Sequence, residues 1–247
     1  STSTQTINIS LASNIGSAGD VVRVSTDNGA TWLSPIQNNP KSFTLSNVSL
    51  SGSSTLIVRV EDSAGNAGTA LNQTYSIDTT AAAPVLSLSS DTGTSSTDNI
   101  TRVGTINVTG LESGATWQYS TNNGVNWTTG TGSSFAVSGD GVKTVVIRQT
   151  DVAGNVSTSS MSFTLDTTVA QSVLSLANDS VTTDGITNDG TVNVGGVEDG
   201  ATWSYRVNGG TWTTGVGSSF VVGGADGEKT VEVRVTDIAG NVSTSSL

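Results

Sequence analysis

The stretch GATWQYSTNNGVNWTTGTGSSF at 114–135 returns as GATWSYRVNGGTWTTGVGSSF at 200–220. A chain that repeats itself builds one unit more than once, and the repeat length bounds what that unit can be. Asp78 recurs as Asp166, Trp117 as Trp203, Phe135 as Phe220 and Asp151 as Asp237, all 85–88 residues apart. Solenoid turns and propeller blades repeat at roughly 20–50 residues. The interval here is long enough for each unit to bury a core of its own.

The first 77 residues read as a divergent third copy. TINI at 6–9 matches TINV at 105–108, STDNGATW at 25–32 matches STNNGVNW at 120–127, and EDSAGN at 61–66 matches TDVAGN at 150–155. The expected domains are therefore 1–77, with its first strand missing or truncated, then 78–165, then 166–247 with its last strand truncated. A longer array, from which this chain is a part, is the expectation.

Each unit reads as strands. TINVTG, TWQYS, KTVVIRQT and MSFTL alternate apolar and polar residues, the period of a sheet with one buried face. TNNG and VNGG between strands are hairpin turns, because Asn and Gly accept positive φ. About seven short strands per unit fit an immunoglobulin-like sandwich. The fold class is thus all-β, a tandem and elongated array of three such domains. Trp117 with Tyr119, and Trp203 with Tyr205, share one strand face and are expected in the cores. Trp127 and Trp212 follow the hairpin and are expected to pack across it.

Composition narrows the function. The chain has 20 acidic and 9 basic residues, no His and no Cys, for a net charge of −11. Phosphate binding needs clustered Lys and Arg, so nucleic acid and anionic membrane surfaces are poor partners. A Ser-His-Asp triad, a Cys nucleophile, a typical zinc site and disulfides are all excluded. No segment is long and apolar enough to insert in a membrane. A non-catalytic monomer, whose partners are its own neighbouring repeats, is the expectation. Ser25 to Trp32 also matches the S-x-D-x-G-x-T-W pattern, which resembles the Asp-box hairpins of sialidases. That motif is structural even there, and the six Arg are scattered, with Arg59, Arg148 and Arg234 at one equivalent strand position.

The carboxylates are not scattered in the same way. In a sandwich with strands lettered A to G, the B–C and F–G connections lie at the pole where the chain arrives. Asp151 and Asp237 precede the F–G turn Ala-Gly-Asn, Glu112 and Glu198 fall in the B–C connection, and Asp78 and Asp166 open their repeats. The preceding repeat offers its A–B connection, with Asp91 and Asp98 in repeat 2 and Asp179 and Asp184 in repeat 3. Clustered carboxylates repel, and Ca²⁺, which takes six to eight oxygens, would relieve them. The competing reading makes Asp-x-Ala-Gly-Asn only a tight turn capped by its own side chains. Calcium is the favoured reading for Asp78, Asp151, Asp166 and Asp237, and for Asp91 and Asp98 the two readings are evenly matched.

The order D-T-T, D-T-G-x-S-x-x-D-x-I-T, G-L-E-x-G-A-T-W-x-Y-S and D-x-A-G-N-x-S resembles the immunoglobulin-like repeats of giant RTX-type adhesins, which Gram-negative bacteria secrete by the type I route. The resemblance implies an extracellular stalk on the bacterial surface that projects a distal binding domain, with Ca²⁺ stiffening the junctions. Repeat 3 departs from the pattern, reading NDSVTTDGIT, two residues shorter, and repeat 1 lacks the first two segments. A carbohydrate- or receptor-binding module, with Trp127 or Trp212 as its platform, is the alternative.

Overall fold

The structure is a computed structural model that describes residues 3–16, 18–179 and 184–247. The described residues are all strand, turn and loop. They divide into two compact units, Ser1–Ala81 with Val152–Asn155, and Ala82–Asp151 with Val156–Leu247.

The first unit holds β1 (Ser3–Ser10), β2 (Val21–Ser25), β3 (Ile36–Asn39), β4 (Ser42–Leu50), β5 (Ser53–Glu61) and β6 (Leu71–Ser76). They form two three-stranded sheets, in the orders β1-β4-β3 and β2-β5-β6. Ile9, Val22, Val24 and Phe43 close the core between them. The Asp-box residues cap a hairpin. Asp27 accepts the Thr31 N–H at 2.8 Å, and Ser25 Oγ accepts the Gly29 N–H at 2.8 Å. Bonds donated to Asp27 by the Thr31 hydroxyl first, then the Thr31 N–H and the Ser25 hydroxyl, hold its carboxyl down at about 2.

The second unit contains repeats 2 and 3, each with a separate core. Repeat 2 runs β7 (Val85–Leu88), β8 (Ile100–Thr101), β9 (Thr105–Thr109), β10 (Thr116–Ser120), β11 (Thr128–Thr129), β12 (Ser134–Ala136), β13 (Gly141–Thr150) and β14 (Val156–Leu165). One sheet is ordered β12-β9-β7 and the other β11-β10-β13-β14-β8. Repeat 3 runs β15 (Val173–Leu176), β16 (Thr191–Gly195), β17 (Thr202–Val207), β18 (Thr213–Thr214), β19 (Ser219–Val221), β20 (Val231–Thr236) and β21 (Val242–Ser246). Its sheets, β15-β16-β19 and β18-β17-β20-β21, pair in the same order, without a counterpart of β8 among the described residues. These are immunoglobulin-like sandwiches. A short strand hydrogen-bonded to the β10 or β17 edge takes the place of a separate fourth strand.

Alternation explains the cores. Along β13, Val145 and Ile147 point inward and are fully buried, and Val233 and Val235 do so along β20. Trp117 and Trp203 are buried, and each indole N–H donates to a loop carbonyl, that of Gly132 or Gly217. Tyr119 stacks on Phe135 at 4.2 Å between centroids, and Tyr205 on Phe220 at 3.9 Å. Space fixes Gly130 and Gly215, since a Cβ there would lie 2.3 or 2.2 Å from the Trp ring. The hairpin Asn residues Asn28, Asn123 and Asn208 all have positive φ, as the turn chemistry requires.

Near the end of β14, Phe163 and Leu165 complete the core of repeat 2.

Candidate functional site

The loops that carry the acidic residues are built by local hydrogen bonding. In repeat 3 the turn after β20 is closed by Asp237, 2% exposed, whose Oδ1 accepts the Asn241 N–H at 2.7 Å and whose Oδ2 accepts the Asn241 side-chain amide at 2.8 Å. Gly240 sits at φ +88 to let the chain reverse. Asp62 and Asn66 make the same pair of bonds in the first unit, led by the Asn66 side chain, and they pull the Asp62 carboxyl below its usual range. The Asp-x-Ala-Gly-Asn motif is therefore a capped turn in its own right. Its Asn also reaches outward, because the Asn241 amide donates to the Asp166 carbonyl at 2.9 Å.

The glutamates hold the linkers. Glu198 accepts the Ala170 N–H at 2.7 Å, and Glu112 accepts that of Ala82. In repeat 2 a buried amide adds to this. Gln149 is fully buried, donates to the Ala82 carbonyl and accepts the Glu112 N–H at 3.1 Å. Its counterpart in repeat 3 is Val235. There, Ser243 donates to the Ala170 carbonyl, while Ser245 donates to the Ser172 carbonyl as Ser159 does to that of Pro84 in repeat 2.

The predicted acids fall into three situations. Glu112 and Asp151 bring carboxylate oxygens within 4.8 Å of each other, with Asp151 8% exposed. Asp78 lies in the first unit, exposed, with one oxygen accepting the Thr80 N–H. Asp166, Glu198 and Asp237 are not gathered: among the described residues no oxygens, one from each, come within that distance of one another. Asp166 caps its own linker, accepting the Thr168 N–H.

The loop between β7 and β8 is different in kind. Asp91 Oδ2 accepts the Asn99 N–H at 3.1 Å, and exposed Asp98 accepts the Ile100 N–H. Among the described residues, however, Asp91 Oδ1 is buried with no hydrogen-bond partner, and so is Asp179 Oδ1 at the same place in repeat 3. Buried polar atoms without partners are rare, and two at one repeated position ask for a cation or water. Exposed Asp184 caps Ile186 as Asp98 caps Ile100. Part of that loop, residues 180–183 of NDSVTTDGIT, lies outside the described residues.

Residues 80–167 match the bacterial Ig-like domain family. The match covers repeat 2 and less than half of the chain. No curated protein matches. Among solved structures, the chain is similar to a tetra-tandem repeat from the extending region of a large adhesion protein, at 19% identity and TM-score 0.31, over 93% of this chain and 66% of that one. It is similar to a structure from a 1.5-MDa bacterial ice-binding adhesin at 22% identity and TM-score 0.44, over 98% and 88%. Fibronectin(III)-like modules of Clostridium thermocellum CbhA follow at 14% identity and TM-score 0.32, over 66% and 86%. 

Two features were not read from the sequence. The repeated arginines stack on the hairpin tryptophans, Arg59 at 3.7 Å from the Trp32 centroid, Arg148 at 4.2 Å from Trp127 and Arg234 at 4.6 Å from Trp212. The equivalence of the three positions was the available signal. Gln149 was the other, legible only as a polar residue in phase with Val145 and Ile147.

Proposed function

We propose that the chain is a run of non-catalytic stalk repeats of a bacterial cell-surface adhesin, with Ca²⁺ stiffening the linkers so that a distal binding domain is held away from the cell. The observation that carries the calcium reading is the pair of buried carboxylate oxygens without partners, Asp91 Oδ1 and Asp179 Oδ1. The bacterial Ig-like match at 80–167 supports the stalk reading, as does the repeated clamping of each linker by a glutamate.

Asp91 and Asp98 would hold one ion. Glu112 and Asp151 would hold another. The ion supplies positive charge where carboxylates lie close, and these oxygen donors suit Ca²⁺ better than the stricter octahedron of Mg²⁺. An affinity of roughly 10⁻⁴ to 10⁻³ M suffices outside a cell. Secretion by the type I route to the extracellular surface accords with a chain that has no Cys. A binding module with Trp127 or Trp212 as platform has less support, because arginines already cover those rings.

Small-angle scattering and melting curves in EGTA and in millimolar Ca²⁺ test the proposal. Calcium should lengthen the particle and raise Tm, and Asp91→Asn and Asp151→Asn should each shrink that rise. An unchanged scattering profile and Tm would leave the acids as turn caps.

A further inference from the structure

The turn between β20 and β21 does more than reverse the chain. Its three successive carbonyls are all engaged by repeat 2. Ile238 O accepts the Thr94 N–H at 3.2 Å, Ala239 O accepts the Thr92 hydroxyl at 2.6 Å, and Gly240 O accepts the Arg102 guanidinium. Thr92 Oγ1 is itself held by the Arg102 N–H at 2.9 Å, so the donors form one set.

The backbones meet at van der Waals range. A Cβ on Gly93 would lie 1.8 Å from Ile238 O, and one on Gly240 would lie 3.0 Å from Gly93 Cα. Ala239, between them, is fully buried. Below this contact the linker is tied from both sides. Asp140 of repeat 2 accepts the Thr167 N–H and hydroxyl and the Thr168 hydroxyl, and Asn241 of repeat 3 donates to Asp166 O.

We propose that this seam, made of backbone, hydroxyl and guanidinium donors on turn carbonyls, locks repeat 3 to repeat 2 without any metal ion. The donors on the carbonyls include no carboxylate, so none of these bonds passes through a cation. The seam is also directional. It needs a glycine at 93 and an arginine at 102 in the upstream repeat. Repeat 3 carries Asn188 where repeat 2 has Arg102, and its corresponding loop is two residues shorter. The loop of repeat 2 therefore presents donors that the loop of repeat 3 does not reproduce, which goes beyond the calcium reading.

The chain has no native Cys, so spin labels can be placed cleanly on Val142→Cys and Val216→Cys, at positions 77% and 84% exposed in repeats 2 and 3. Pulsed dipolar spectroscopy of the full chain in excess EGTA should give one narrow distance distribution. Gly93→Ala should broaden it, and so should Arg102→Ala, which leaves the loop backbone free of added bulk. Urea midpoints of both repeats followed by Trp fluorescence confirm that the variants fold. A wild-type distribution that is broad in EGTA and narrows only with Ca²⁺ overturns the seam and keeps the calcium reading. A narrow distribution untouched by both substitutions also overturns it. A narrow one in EGTA that calcium does not alter keeps the seam and removes calcium from this junction.

Discussion

Repeats 2 and 3 have interchangeable cores and different junctions. The Trp-Tyr-Phe stack is the same in both, with centroid separations agreeing within 0.3 Å. Both use an Asn and a Ser beyond the turn, Asn155 on the Asp78 carbonyl and Ser159 on the Pro84 carbonyl in repeat 2, Asn241 on Asp166 and Ser245 on Ser172 in repeat 3. The incoming linker is nonetheless held differently at one point: repeat 2 adds a fully buried Gln149 on Ala82 and Glu112, where repeat 3 has Val235 and a bond from Ser243 to the Ala170 carbonyl. Packing constrains an interior position to one shape, whereas several polar groups can satisfy one linker carbonyl. Junction chemistry can therefore vary from repeat to repeat while the sandwich stays fixed.

The largest effects test the shared part. Trp117→Ala and Trp203→Ala should each destabilise the host repeat by about 3–5 kcal/mol. The two costs should agree, as read by urea denaturation of the full chain. Unequal costs would mean that the two cores are less alike than their ring geometry.

The next test exchanges the part that differs. Gln149→Val leaves the Glu112 N–H and the Ala82 carbonyl without a partner, and should cost about 1–3 kcal/mol. The reverse change, Val235→Gln, buries an amide in a site whose linker is already satisfied and should also destabilise. If either swap is neutral, the junctions are more tolerant than the hydrogen bonds imply.

The smallest effect concerns pH. Bonds from the Thr167 side chain, then its backbone N–H, hold the exposed Asp140 carboxyl below its ordinary 3.8. A carboxyl depressed on folding contributes stability above its unfolded value and loses it as pH falls through the folded one. The Thr167 and Thr168 amide resonances should therefore titrate with a midpoint below 3.8, and Asp140→Asn should abolish that titration. A midpoint at or above 3.8 would show that the linker is not held there.

Much of the fold was legible from local rules. Period-2 alternation in KTVVIRQT placed Val145 and Ile147 inward, Asn-Gly pairs marked the hairpins, and the repeat length required separate cores. The site was legible only in part. Asp237 and Asn241 could be read as a capped turn because they are four residues apart. That Asp166, Glu198 and Asp237 stay apart was not, since the separation of loops depends on how each linker bends.

The sequence by itself therefore determined three sandwiches with tryptophan at the heart of repeats 2 and 3, because alternation and turn chemistry act within a few residues. Tertiary structure alone decided that Asp91 Oδ1 is buried without a partner and that Gly93 lies against Ile238, a residue 145 positions away. Contacts at such separations follow from how finished domains pack, and no local periodicity encodes them.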